Sequence, residues 1–542
     1  MPQIACVISQ LSVVLDHAPI SQDPILQDLS LELRAQQFSA LTGRNGQGKS
    51  LLLALLAQSL DPQIQYQGSI QWHAPCARLA QLNRLKGNTI ADALGISQQY
   101  ECFQRIESGN ASAEDFDQVE ACWHLPQLWQ QQLEAAQLPT ALDFAVAHLS
   151  EGQKTKLALC RLFQLKDHYL LLDEPSNHLD QAGRNWLIQK IQQHPMGCLV
   201  VSHDRALLQQ AQHIYHLSPQ GLQYHRGDYA GFSQRQQTEL QALQQRLTQQ
   251  KRELSQHKAR QQQALAKAAT RLQAGQKIRK SGSQAKVLLD FNKEQAQHSA
   301  SGAAKQFTRQ LQHVQDNLEQ QQQQLDKTKA QRFELGFHST AQHGEILRLK
   351  QLQLTEVATQ PIHFALNAGE KLHLSGQNGI GKSTLLQLIQ QAGTARHADI
   401  YLATKSVYLD QNFRLLDRQQ NAVDNLCRLN PQLSELDYRR LLGQLRLRGD
   451  QALRPLEQLS GGEQLKVALL AISQLSNNVG LLLLDEPENH LDIESRQLLA
   501  DAIQRFSGSV ILVSHDSHFV AECGIEFEYK ILPVTTASTS FT

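Results

Sequence analysis

The stretch "LLDEPSNHLD" at 171–180 returns as "LLDEPENHLD" at 483–492, ten letters with one change, Ser176 against Glu488, 312 residues further on. Each copy closes a continuous apolar run, "HYLLL" or "GLLLL", the pattern of a parallel strand buried on both faces. A core strand has no use for adjacent acids at its end, so Asp173–Glu174 and Asp485–Glu486 require a chemical reason. A helix N-cap explains one carboxylate but not two in succession.

Working outward, other stretches repeat in the same order. "LTGRNGQGKS" (41–50) pairs with "LSGQNGIGKS" (374–383), "HLSEGQKTKLAL" (148–159) with "QLSGGEQLKVAL" (458–469), and "VSHD" at 201–204 with the same letters at 513–516. Asp173 precedes His203 by 30 residues, as Asp485 precedes His515. Two homologous domains are the economical explanation.

The glycine-rich stretches fit G-x-x-x-x-G-K-[ST] twice, through Gly43, Gly48, Lys49 and Ser50, and through Gly376, Gly381, Lys382 and Ser383. Each follows an apolar strand and opens a Leu-rich helix, the context a phosphate-binding loop requires. Its backbone N–H groups converge on phosphate oxygens, and the helix N-terminus adds partial positive charge. Asn45 and Gly46, with Asn378, Gly379 and Thr384, are assigned to the same cradles. Lys49 and Lys382 are expected to reach the β- and γ-phosphates, while Ser50 and Ser383 ligate Mg²⁺. The paired acids then divide the work. Asp173 and Asp485 hold Mg²⁺, and Glu174 and Glu486 polarise a water for attack on the γ-phosphate.

With 542 residues, 41% of them hydrophobic and 19% charged, the chain is too long for one core and reads as soluble and globular. No apolar run approaches the roughly 18–20 residues of a membrane helix, and "MPQIACVISQ" lacks the basic flank and apolar core of an export signal. The eight cysteines are scattered singly, without CxxC or metal-type spacing, so unpaired thiols in a reducing cytoplasm are expected. The zero net charge hides a split, because residues 231–340 carry 18 Lys or Arg against 8 Asp or Glu.

Together these motifs resemble the ATP-binding cassette (ABC) ATPases. The likeness adds a Gln after a short strand in each half (Gln81, Gln411), which would join the Mg²⁺ shell. It adds the signature stretches Leu149-Ser150-Glu151-Gly152-Gln153 and Leu459-Ser460-Gly461-Gly462-Glu463-Gln464, the aspartates Asp180 and Asp492, and the switch histidines His203 and His515. In that family the signature serves the nucleotide of the opposite domain, so two ATP are sandwiched between two domains. Site one would join Lys49, Asp173, Glu174 and His203 to Ser460, Gly461 and Gly462. Site two would join Lys382, Asp485, Glu486 and His515 to Ser150 and Gly152. Three departures stand out. Glu151 replaces the first signature glycine, and its charge near a γ-phosphate is expected to slow site two. No aromatic residue precedes Phe38, nor lies between Phe337 and Phe364, which leaves the choice of ATP or GTP open. Ser517 stands where the first half has Arg205, with no evident consequence.

The expected organisation is thus α/β: a first cassette over 1–228, a helical linker over 229–338 and a second cassette over 339–542. In the linker, Leu240, Leu243, Leu247 and Leu254 fall on a heptad seam, as do Phe307, Leu311, Val314, Leu318 and Leu325. An antiparallel hairpin is expected, its distal end bracketed by Ser281-Gly282-Ser283 and Ser301-Gly302. Residues 251–286 hold ten basic residues and one acid, Glu253, which suits phosphate-backbone contact better than an inert spacer. Tandem cassettes, a basic helical linker and DEPxNHLD resemble the ABC-F family. That resemblance implies a monomeric cytoplasmic ATPase that binds the ribosome, its linker meeting rRNA or tRNA. Residues 97–140 match either the small arm of some members or a longer helical subdomain. The rival reading is the energy subunit of an ABC transporter, which needs a separate membrane partner and leaves the basic linker without a task.

Overall fold

The computed structural model describes residues 3–15, 26–59, 64–79, 85, 87–218, 220–280, 344–354, 359–393, 397–447, 449–475, 479–489 and 491–533. Gln81, Lys286 of the basic stretch, the return helix of the expected hairpin and its Ser-Gly tips lie outside these. Contacts divide the chain into two compact units, Met1–Tyr229 with Gln331–Thr542, and Ala230–Ala330.

Each half of the first unit is built on one sheet with a small antiparallel sheet beside it. In the first half the strand order is Cys76–Arg78, Tyr169–Asp173, Cys198–Val201, Phe38–Gly43, His213–Ser218 and Gly221–Arg226. All neighbours are parallel except the last pair. In the second half the order is Lys405–Asp410, Val479–Asp485, Ser509–Val513, Lys371–Ser375 and Phe527–Lys530, parallel throughout. The apolar runs behave as two-sided strands: Leu170 and Leu172 enter one core, Tyr169 and Leu171 the other. Leu482 and Leu484 separate from Leu481 and Leu483 in the same way. A period of two along each strand therefore fills two hydrophobic layers with one segment.

This topology gathers the repeated motifs. The phosphate loop leaves the strand Phe38–Gly43, the acid pair ends the strand Tyr169–Asp173, and His203 follows the strand Cys198–Val201. All three lie at the carboxyl edge, where the strand order reverses and parallel sheets place ligands.

Residues 97–140 form helices Ser97–Glu107, Ala113–Val119 and Leu125–Ala135. Their Cys102, Phe103, Val119, Trp129 and Leu133 join the main core of the first half. These helices are thus packed against that core, with Phe116 and Trp123 left exposed. All eight cysteines are free, and five are buried. Among the described residues no helix is long and apolar enough to cross a membrane.

The second unit is described through the helix Tyr229–Lys280, 52 residues long. Leu240, Leu243, Leu247 and Leu254 form its sheltered stripe, while Lys251, Arg252, Lys258 and Lys267 are exposed.

Candidate nucleotide sites

Two sharp turns create each phosphate loop. Gly43 has φ 151° and Gly376 φ 154°, and a Cβ on Gly43 would sit 2.5 Å from the Leu217 carbonyl oxygen. Gly48 and Gly381, at φ 87° and 94°, cap helices Lys49–Leu56 and Lys382–Ala392 in the left-handed region that glycine adopts without strain. Gly46 and Gly379 are also left-handed, with open space where a Cβ would be. Lys49 Nζ donates to the carbonyls of Gly43 and Arg44 at 2.7 and 2.9 Å. Lys382 Nζ does the same to Gly376 and Gln377 at 2.9 and 3.1 Å. Burial lowers the pKa of both ammonium groups, opposed by Glu174, Asp492 and Asp173 around Lys49, and by Glu486, Asp485 and Asp180 around Lys382. Each lysine thus senses the paired acids of its own half and the HLD aspartate of the other.

The acids are aimed by backbone strain. Glu174 and Glu486 both have φ 47°, a left-handed conformation that costs a residue with a Cβ about 1 kcal/mol or more. Their N–H groups still donate to Val201 and Val513 at 2.8 and 3.0 Å, so the strain turns the side chain without releasing the strand. His203 Nε2 lies 3.6 Å from Glu174 Oε1, and His515 Nε2 lies 3.2 Å from Glu486 Oε1. The electrostatics differ more than the geometry. Burial, against the pull of Arg496 and Lys49, raises Glu174 to about 7. Burial would also raise Glu486, but His515, Asn489 and Lys382 outweigh it and hold that carboxyl below its ordinary value. Burial, reinforced by Lys49 and Arg496 and opposed by Asp492, pushes the His203 pKa well down.

Ser50, Lys49, Asp173, Glu174, Asn45, Gly46 and Gly48 line one cleft with Ser460 and Gly461 of the other half, about 440 Å³ in volume. The halves are joined there directly. Asn45 N–H donates to Asp492 Oδ2 at 3.0 Å, Arg44 pairs with Glu494 at 2.8 Å, and Arg496 Nη1 donates to the His203 carbonyl at 3.2 Å. On the other side, a Cβ on Gly152 would lie 3.9 Å from Asn378 Nδ2. Within the second half Gly462 is packed closely, since a Cβ there would meet Ser495 Oγ at 2.4 Å.

The signature helices begin with reciprocal caps. Ser150 caps Glu151–Phe163, its hydroxyl accepting from Gln153 N–H while Gln153 Oε1 accepts from Ser150 N–H. Gln153 therefore has a capping duty that the S-x-x-Q spacing already encodes. Glu463 does the same for Ser460 at 2.9 Å. Glu151 is half exposed and paired with Lys154 at 2.8 Å, so its charge is balanced on its own helix. The stated ground for a slow second site is thereby weakened.

The oxygen donors suit a hard cation such as Mg²⁺. The Tyr408 phenol donates to Asp485 Oδ2 at 2.8 Å; burial raises the Asp485 pKa, opposed by Ser383 and Tyr408. Gln411 is exposed, its amide oxygen 3.4 Å from Asn489 Nδ2. In the first half Arg78, 3.7 Å from Asp173, takes the place of Tyr408. Thr384 is half-buried one residue beyond Ser383. Among the described residues no His, Cys, Asp and Glu cluster forms a metal site by itself.

Three cross-half contacts went unforeseen: Arg44 with Glu494, Arg496 with the His203 carbonyl, and Arg205 with Glu522. Arg205 Nη1 is bonded to Glu522 Oε1, and its Nη2 is 3.4 Å from Gln497. The signal was present in the difference between Arg205 and Ser517. Phe364 packs against Tyr529 with centroids 4.9 Å apart and the rings tilted by 45°, a packing role within its own half.

A family profile described as ABC transporter matches residues 26–177 and 359–489. The putative ATP-binding protein YdiF of Bacillus subtilis is 29% identical over 531 residues, covering 92% of this chain and 76% of that protein. ATP-binding cassette sub-family F member 3 of Mus musculus is 30% identical over 507 residues, covering 89% of this chain and 65% of that longer protein. A solved structure titled as a model of ribosome-bound archaeal Pelota and ABCE1 shares the fold at TM-score 0.51 and 18% identity, over 95% of this chain and 74% of that one.

Proposed function

Because the chain belongs to the ATP-binding cassette family, as a tandem-cassette ATPase of the F type, we propose that it clamps two Mg·ATP between its halves and couples their hydrolysis to binding and release of the ribosome in the cytoplasm. The observation that carries the clamp is the joint lining of one cleft by Lys49, Glu174 and Ser460, with Asn45 bonded to Asp492 beside it.

The residues divide as follows. Lys49 and Lys382, with the loop amides, hold the phosphates, and Ser460–Gly462 or Ser150–Gly152 meet the γ-phosphate from the opposite half. Ser50 with Asp173, and Ser383 with Asp485, would hold Mg²⁺, which neutralises charge on the phosphate oxygens when bound. Glu174 and Glu486 orient the attacking water and accept its proton, and His203 and His515 fix the carboxylate and sense the γ-phosphate.

The ribosomal part rests on the resemblance to the ABC-F family and on the ten basic residues of 251–286. Those side chains suit the phosphate backbone of rRNA or tRNA, and closure of the clamp would change the affinity of this surface. A full chain carrying Glu174→Gln and Glu486→Gln is expected to pellet with ribosomes in ATP and not in ADP. Pelleting with membranes in place of ribosomes would favour the transporter reading.

A further inference from the structure

We propose that Glu488 is a positioning residue that sets the second hydrolytic centre apart from the first, by tying the loop that carries His515 to the turn that carries Glu486. It is the single letter in which the two decapeptides differ. The side chain is only 2% exposed. Its Oε1 accepts a short hydrogen bond from the Ser514 hydroxyl, and its Oε2 has no hydrogen-bond partner among the described residues. Ser514 Oγ in turn accepts the Asp516 N–H at 3.0 Å, and Asp516 caps the helix Ser517–Glu522. His515 is therefore flanked by two residues that Glu488 fixes.

The first half is the built-in comparison. Ser202 accepts the Asp204 N–H at 3.0 Å, and Asp204 caps its own short helix Arg205–Leu208. The tie to the acid turn differs, because Ser176 Oγ stands 3.4 Å from Ser202 Oγ. That contact is at the outer limit for two hydroxyls, whereas a hydroxyl bonded to a buried carboxylate is among the stronger hydrogen bonds. The imidazoles follow the ties: His515 is 3.2 Å from Glu486, and His203 is 3.6 Å from Glu174. The turn is drawn in as well, since Asn489 Nδ2 donates to Glu486 Oε2 at 2.7 Å.

Stability alone does not account for this residue. A buried carboxyl with one unpaired oxygen is costly, and the first half folds the same turn around a serine. The gain is geometric: the water-activating carboxylate and its histidine are held together before substrate arrives, as preorganisation requires.

The inference rests on the two-site hydrolysis proposed above, and the test separates the two. In the full chain carrying Glu174→Gln, Glu488→Ser is expected to lower kcat about tenfold with KM for ATP within about twofold. Glu488→Gln keeps an acceptor for Ser514 and is expected to restore most of the rate. Ser514→Ala, which also frees the Asp516 N–H, should cost at least as much as Glu488→Ser, and the two together should cost no more than Ser514→Ala alone. Multiplying effects, a change confined to KM, or a Gln variant as slow as Ser would overturn the proposal. If Glu488→Ser fails to fold, Ser514→Ala against Glu488→Gln decides by the same criteria. A Glu174→Gln parent without ATPase activity would break the two-site reading; the Ser514 and Glu488 variants, measured in the otherwise unaltered chain, would still decide the tie.

Discussion

The backbone N–H of Asn45 in the first phosphate loop donates to the carboxylate of Asp492, 447 residues away, at 3.0 Å. The same side chain caps its own helix by accepting the Ser495 N–H at 2.8 Å. Asp492 thus binds a phosphate loop of one cassette to the helix of the other. Asp180, its counterpart, faces Lys156 of its own cassette at 3.8 Å. Asp492→Ala is expected to lower steady-state ATPase activity about tenfold, and Asp180→Ala less, although each loses a cap contribution of about 1 kcal/mol. Equal losses would count against the asymmetry.

Arg205 and Glu522 form an ion pair between cassettes, with side chains 27% and 25% exposed. A pair so placed contributes roughly 1 kcal/mol, about fivefold in the closing equilibrium. Arg205→Ala or Glu522→Ala should raise the ATP concentration needed for closure by that factor, read as half-saturation of an interdomain fluorescence transfer signal. The exchanged pair Arg205→Glu with Glu522→Arg should recover most of it.

Burial raises Glu488 to about 7, opposed by the Ser514 hydroxyl and Arg496 and reinforced by Glu486, while the facing Cys523 thiol, also raised, stays neutral. An unfolded glutamate titrates near ~4.3. Between those values the folded chain binds a proton that the unfolded chain does not, so stability falls as pH rises through the window and levels off above it. The melting temperature of the wild type relative to Glu488→Gln should therefore decline from pH 5 to 7.5. A difference that stays flat or grows would contradict the assignment.

Glu151 is held by Lys154, so its replacement has little to relieve. Glu151→Gly, which restores the usual signature, is expected to change second-site turnover by less than about twofold, within the range of surface substitutions. Lys154→Ala, which frees the carboxylate, should slow that site more than Glu151→Gly speeds it.

Much of this was legible in the sequence because the decisive residues sit at chain-local spacings. A loop of fixed length after a strand, and two acids at a strand end, can be read without knowing the partner. The cap formed by Ser150 and Gln153 was readable too, though its spacing first pointed to nucleotide. What escaped depends on distance along the chain. Arg205 looked idle because Glu522 is 317 residues away, and no role was read for Glu488 because Ser514 lies at a different strand end. Single-letter differences between the halves marked both places.

The most direct test of the clamp uses Glu486→Gln, which leaves only the first hydrolytic centre, and adds Ser460→Ala or Ser150→Ala. Both serines cap signature helices through the same reciprocal bonds, so loss of the cap cancels between the two variants. The expected result is that Ser460→Ala removes most of the remaining ATP hydrolysis and Ser150→Ala leaves it nearly intact. The reverse pattern, with Ser150 essential and Ser460 dispensable, would mean that each cassette serves its own nucleotide and would contradict the shared sites.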